Sequence, residues 1–364
     1  MILHRYFARR FLVTFLGIFG AFFLIMMFVD LVDQLRRFNG DDASFLDVLI
    51  LTLLNVPQGI YQILPLIMIL TAIALFLSLS RSSEMVVTRA SGRSALRSLT
   101  APLAVALAIG FAAVSILNPI VAGTSKQYEA RSDTLKGESS ILSMGSSGLW
   151  LRQGNQDGQT VIRAQSTNLD GTVLSDVTFV MFTPDGRPGE RVEARIARLL
   201  EGAWQLENAK SWTFDDIQTA EATATRSDMF SITSSLTPDQ IRDSFGTPSS
   251  IPIWELPSFI DRLQTAGFSA QRHLVWFHVE LALPAFLVSM VMIGASFTLR
   301  HPRGGRTGLM VMYAIILAFV AYFVRNFAQV LGENGQLPAI FAAWAPPIAA
   351  ISLSLGLLLH HEDG

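Results

Sequence analysis

The chain has 364 residues, of which 51% are hydrophobic and 15% charged, with a net charge of -2 and no cysteine. Composition this apolar excludes an ordinary soluble protein, and the charge balance argues against a nucleic-acid footprint. Without cysteine there are no disulfides, zinc-thiolate sites or thiol nucleophiles.

In chain order, residues 11–29 carry no charge and nearly cover a hydrocarbon core about 30 Å thick at 1.5 Å per residue. This apolar run exceeds that of a signal peptide and no A-x-A site follows, so a retained span is expected. It ends in Asp30, Asp33, Arg36 and Arg37, a charged cap that reads either as an interfacial anchor or as a pair of guanidiniums offered to lipid phosphates. Uncharged runs at about 58–80 and 98–120 predict spans two and three. Three more apolar runs, at about 274–299, 307–330 and 338–359, of which the first two hold one charge each, bring the total to six. Arg5, Arg9, Arg10, Arg81, Arg89, Arg93, Arg97, Arg300, Arg303 and Arg306 fall on one side of this arrangement, and only Arg36 and Arg37 fall in the short opposite loops. The positive-inside rule then places both termini in the cytoplasm.

The loop after span two, "RSSEMVVTRASGRS", carries helix signals over about 82–92. Ser82 or Ser83 can cap, Glu84 suits the positive end of the dipole and Gly92 can stop the helix. Met85, Val86, Val87 and Ala90 give it an apolar side, flanked by Glu84 and Arg89. Lying on the membrane surface and docking into a cytoplasmic partner remain equally open on physics alone.

Residues 121–252 form the expected extracytoplasmic domain, an all-β, jelly-roll-like fold. Alternating runs at Thr160–Gln165, Val177–Phe182, Val192–Leu199 and Trp204–Phe214 are separated by Asp157-Gly158, Asp170-Gly171 and Asp185-Gly186 turn signals. A helix through "ERVEARIARLLEG" is the rival reading. Its inward apolar residues suit a filled core and an open lipid groove alike. An amphipathic linker helix is expected within 253–273, leading into the C-terminal spans of 274–364.

The chemistry that is missing is equally informative. There is no phosphate-cradling G-x-x-x-x-G-K-[ST], H-E-x-x-H or G-x-S-x-G, and the six histidines are scattered, so no catalytic residue, metal site or bound cofactor is expected. Within the spans, Glu280 and Arg325 lie at similar depths below the outer surface. They read as an intramembrane ion pair or as an arginine facing substrate phosphate.

"RSSEMVVTRASG" after span two, "VDQL" followed by two basic residues after span one, and the Gly, Arg and Pro positions of Gly267–Pro284 together resemble the LptF/LptG permease family of lipopolysaccharide export. Ser91 and the "VDQL" stretch are most like the LptG branch. The resemblance implies an ABC-type exporter of the bacterial inner membrane. This chain would be its non-catalytic permease subunit, with an LptF-like paralogue, two LptB-like ATPase subunits that bind ATP and magnesium, and a single-span LptC-like protein whose β-domain stands in the periplasm.

The loop helix then corresponds to the family's coupling helix, with Ser83, Glu84, Met85, Val86, Val87, Arg89, Ala90 and Gly92 as the ATPase-coupling residues. Spans one and five would line the lipid cavity, which makes Phe28, Asp33, Arg36, Arg37, Phe319 and Arg325 the candidate lipopolysaccharide contacts. One departure stands out. The LptG pattern often has a lysine just before "VDQL", where this chain has Asp30-Leu31, and Arg325 is the candidate substitute. The alternatives are a membrane-anchored scaffold of an envelope complex and a secondary transporter. The latter is disfavoured because no charge lies near the bilayer midplane.

Overall fold

A computed structural model describes residues 2–38, 44–82, 84, 88, 94–136, 142–145, 148–155, 158–167, 172–183, 186–200, 202–214, 221, 224–234, 236, 247–265, 269–299 and 307–362. The chain divides into a helical unit (1–135, 248–256 and 271–364) and a second unit (136–247 and 257–270) built on a β-sheet.

The helical unit contains α1 (Ile2–Arg37), α2 (Phe45–Gln62), α3 (Leu64–Arg81), α4 (Ala95–Ala112) and α5 (Asn118–Lys136) from the N-terminal half. The C-terminal half adds α7 (Gln271–Thr298), α8 (Thr307–Glu333) and α9 (Ala339–Glu362). Among the described residues six helical stretches are long and apolar enough to cross a membrane, in the order expected from the sequence. The third continues from α4 through a π-helical turn at Ala113–Leu117 into α5. α2 was not anticipated. Ser44 caps it by accepting from the Asp47 backbone N–H while the Asp47 carboxylate accepts from Ser44 N–H, a reciprocal capping box. Chain direction breaks at Ile63, where Pro65 falls in the first turn of α3.

α7 is the hub of this unit and packs on α3, α4, α8 and α9. Small residues permit that closeness. A Cβ on Gly110 of α4 would sit 2.5 Å from Pro284 Cα, and one on Gly294 would sit 2.8 Å from Ala72 Cβ. Phe7, Phe11 and Phe15 on one face of α1 join the same core as Phe76, Phe286 and Met290.

Among the described residues the second unit holds seven antiparallel strands, each paired with its sequence neighbour: β1 (Leu142–Gly145), β2 (Gly148–Asn155), β3 (Gly158–Thr167), β4 (Val173–Phe182), β5 (Pro188–Leu200), β6 (Ala203–Thr213) and β7 (Thr225–Thr233). The "ERVEARIARLL" segment is a strand, with Val192, Ala194, Ala197 and Leu199 buried; the helical alternative does not hold. Laid flat, β2 and β7 would stand about 24 Å apart at about 4.8 Å per strand. Yet Gln153 Nε2 of β2 donates to Thr233 O of β7 at 3.1 Å, and Ser234 Oγ donates to Gln153 Oε1 at 2.7 Å. The sheet is therefore rolled until its second and last strands meet. Its inside is lined by Leu151, Ile162, Phe179, Leu206 and Trp204, the last edge-on to Phe179.

The roll has a defined crease. The buried set skips an extra position after Leu174 in β4, after Ala194 in β5 and after Leu206 in β6. These slips lie side by side, since Ser175 pairs with Ile196 and Val177 with Ala194, and Ile196 pairs in turn with Glu207. Asp176 (φ 49) and Asn208 (φ 54) occupy the left-handed region at the slip, a conformation that short polar side chains tolerate best. Aligned bulges increase local twist and bend, which lets a meander curl. α6 (Leu256–Thr265), the expected amphipathic helix, places Ile260 and Leu263 in the buried set.

Candidate functional site

Among the described residues three clusters of polar side chains stand out against the apolar background of the helical unit. The first joins the loop after α3 to the start of α1. Arg10 Nη1 donates to Glu84 Oε1 at 2.7 Å, Ser82 Oγ donates to the same oxygen at 2.8 Å, and the Tyr6 hydroxyl donates to Oε2 at 2.9 Å. Arg10 Nη2 also reaches Ser78 Oγ at 2.9 Å. Burial by itself would raise the Glu84 carboxyl; the hydrogen bonds from Arg10, Ser82 and Tyr6 outweigh it and hold the group below the ordinary carboxylate value of 4.5. Glu84 and Thr88 are helical, with Thr88 Oγ1 donating to Glu84 O at 2.8 Å. Ser83, Met85, Val86, Val87, Arg89, Ala90 and Gly92 lie outside the described residues.

The second cluster surrounds the end of α1. Asn55 Nδ2 of α2 donates to Asp30 Oδ1 at 2.6 Å, while Gln34, only 1% exposed, meets the Tyr128 hydroxyl of α5 at 2.9 Å. Arg37 Nη1 donates to that same hydroxyl at 3.3 Å. Asp33 and Arg36 point outward on the exposed face, and Phe28 is 69% exposed.

The third cluster centres on Glu280, buried in α7. Its Oε2 accepts from the Tyr61 hydroxyl and, at 3.2 Å, from Asn118 Nδ2. Asn118 Oδ1 in turn accepts the Ile253 backbone N–H at 2.9 Å. A π-helical turn immediately precedes Asn118, and such turns are frequent at functional sites. Glu280 and Arg325 line one cavity of about 320 Å³ together with Tyr61, Trp276 and Asn326. The Arg325 guanidinium lies over the Phe286 ring, 5.1 Å from its centroid. Phe319 is exposed on α8.

None of Tyr6, Arg10, Tyr61, Asn118 and Tyr128 was singled out from the sequence as a partner in these clusters. A signal was available for Asn118, a polar residue at the end of an uncharged run. No such signal marked the tyrosines, whose rings read equally well as core. Among the described residues no group of acidic and histidine side chains has the geometry of a metal site.

Comparison with known proteins fits this architecture. The family model for the lipopolysaccharide export system permeases LptF/LptG matches residues 5–360. The chain belongs to the LptF/LptG family. It is also 22% identical over 361 residues to the lipopolysaccharide export system permease protein LptG of Escherichia coli strain K12, covering 98% of each chain. The same figures hold for the LptG protein of Escherichia coli O6:H1 strain CFT073. As an LptF/LptG permease with six apolar helices and a β-domain, the chain is an inner-membrane protein of lipopolysaccharide export.

Proposed function

We propose that this chain is the LptG-like half of an ATP-driven lipopolysaccharide extractor. Both termini and the loop around Glu84 face the cytoplasm, and the β-domain stands in the periplasm. An LptF-like paralogue completes the cavity, two LptB-like subunits bind ATP and magnesium, and an LptC-like protein continues the β-structured path. Taking acyl chains from the bilayer into water costs about 0.8 kcal/mol per exposed methylene, tens of kcal/mol for a whole lipid. Only a sheltered cavity closed by an external energy source meets that demand.

The Glu84 junction carries this reading. The Glu84 carboxylate, in the loop after α3, is hydrogen-bonded directly to the first span, so in this reading a push on the loop moves a helix of the cavity wall. Arg36, Arg37 and Arg325 supply donors for lipid phosphates, and Phe28 and Phe319 present exposed rings to acyl chains. In membranes the chain should co-purify with a second permease and an ATP-binding subunit. In the reconstituted complex Glu84→Ala should lower ATP-driven release of lipopolysaccharide while the isolated ATPase stays competent. Unchanged release would overturn the coupling role.

A further inference from the structure

α1 is held by polar side chains at both ends and by apolar contacts between them. At the inner end Arg10 bridges three elements, since it belongs to α1 and its two terminal nitrogens reach Glu84 in the loop and Ser78 in α3. The planar fork of a guanidinium fixes two such partners at once, which a lysine cannot reproduce. A carboxylate has about four acceptor sites. Arg10, Ser82 and Tyr6 fill three on Glu84, whose side chain keeps 32% exposure, so room remains for one donor from outside the chain. Contact with a partner and contact with Arg10 are therefore compatible.

At the outer end, Asp30 and Gln34 lie one turn apart on the same face of α1. Asp30 Oδ2 and Gln34 Oε1 are both buried without a donor. Turning the Gln34 amide so that Nε2 faces Asp30 and Oε1 faces the Tyr128 hydroxyl gives each oxygen a donor. The result is a chain of bonds from Asn55 through Asp30 and Gln34 to Tyr128, ending at Arg37. From Arg10 to Gln34 the helix rises about 36 Å. Between these clasps only 6% of the apolar window of α1 is buried, the lowest share of the six spans. With so little of this stretch packed, the charge-assisted hydrogen bonds at the two ends are the strongest ties of α1 to its neighbours.

We propose that α1 works as a rod, with Arg10 as the positioning residue that converts movement of Glu84 into movement of the outer clasp at Gln34, Arg37 and Tyr128. This rests on the ATP-driven reading above. The test uses the full complex in proteoliposomes containing lipopolysaccharide and measures lipopolysaccharide released per ATP hydrolysed. Arg10→Ala and Glu84→Ala should each lower that ratio about tenfold, and the double variant should be no worse than either single one. Arg10→Lys, which keeps the charge but cannot hold Glu84 and Ser78 together, should restore only part of the ratio.

Because the chain has no cysteine, Leu35→Cys, 41% exposed, offers a labelling point unique within this chain beside the outer clasp, used with partner subunits whose own cysteines are replaced. Its label should report an ATP-dependent change that disappears with Arg10→Ala while hydrolysis persists, a result that mere loss of folded protein cannot give. If Glu84→Ala lowers the ratio and Arg10→Ala does not, or if the two losses multiply, the rod is wrong and the exporter reading stands. If neither lowers it, both fall.

Discussion

The two units are specified in opposite ways. In the β-domain apolar and polar residues alternate, so apart from the slip the buried face is written along β4, β5 and β6, and Trp204, Phe179 and Leu206 close the inside of the roll. Within the membrane-crossing stretches of the helical unit most positions are apolar, so hydrophobicity cannot say which face meets which. There the choice falls to close approaches at glycine and to a few polar pairs such as Glu280 with Tyr61 and Asn118. A pattern specifies the soluble fold, and exceptions to a pattern specify the membrane fold.

The comparison can be broken first at its most heavily packed point. Trp204→Ala should destabilise the β-domain by about 3–5 kcal/mol, seen as early protease cleavage within 142–233 while the helical unit resists. Gly110→Leu should have its effect in the other unit. Overpacking against Pro284 should cost about 1–3 kcal/mol or more and lower the thermal midpoint of the helices in detergent.

Exchanging one polar residue for an apolar one sharpens the contrast. Glu280→Leu should cost about 1–3 kcal/mol by leaving the Tyr61 hydroxyl and the Asn118 amide without an acceptor, although it makes the core more apolar. Glu280→Gln, which keeps an acceptor, should cost less; equal losses would show that the charge and not the hydrogen bonding is what counts. At the crease, Asn208→Val should cost about 1–2 kcal/mol because a β-branched residue resists positive φ, whereas Asn208→Gly should be neutral or mildly stabilising.

The smallest effect concerns acidity. Since folding lowers the Glu84 carboxyl, its ion pair contributes fully above the unfolded value and is lost only as pH falls through the folded one, below 4.5. Release per ATP should therefore show no Glu84-dependent change between roughly pH 6 and 8.

Much of the fold was legible in the sequence. Long apolar runs gave the six spans, and alternation gave the strand at Val192–Leu199 against its helical rival. α2 escaped because its apolar stretch from Phe45 runs into the next span and only the Ser44/Asp47 cap marks its start. The crease escaped because a slipped alternation at Asp176 looks locally like a weak strand, and only neighbouring strands show that the slips align. Of the candidate site, Glu84, Arg37, Glu280 and Arg325 were visible as charges in unusual places, but their contacts were not.

By itself the sequence determined where the chain can cross a membrane, where it must be a sheet and which carboxylates and guanidiniums stand apart, because length, period and charge are local properties. Only the tertiary structure decided that Tyr6 meets Glu84 across 78 positions and Asn118 meets Glu280 across 162. The physical reason is that periodicity tells a residue which face it occupies, whereas a hydrogen bond needs a partner within about 3 Å, and packing alone selects that partner.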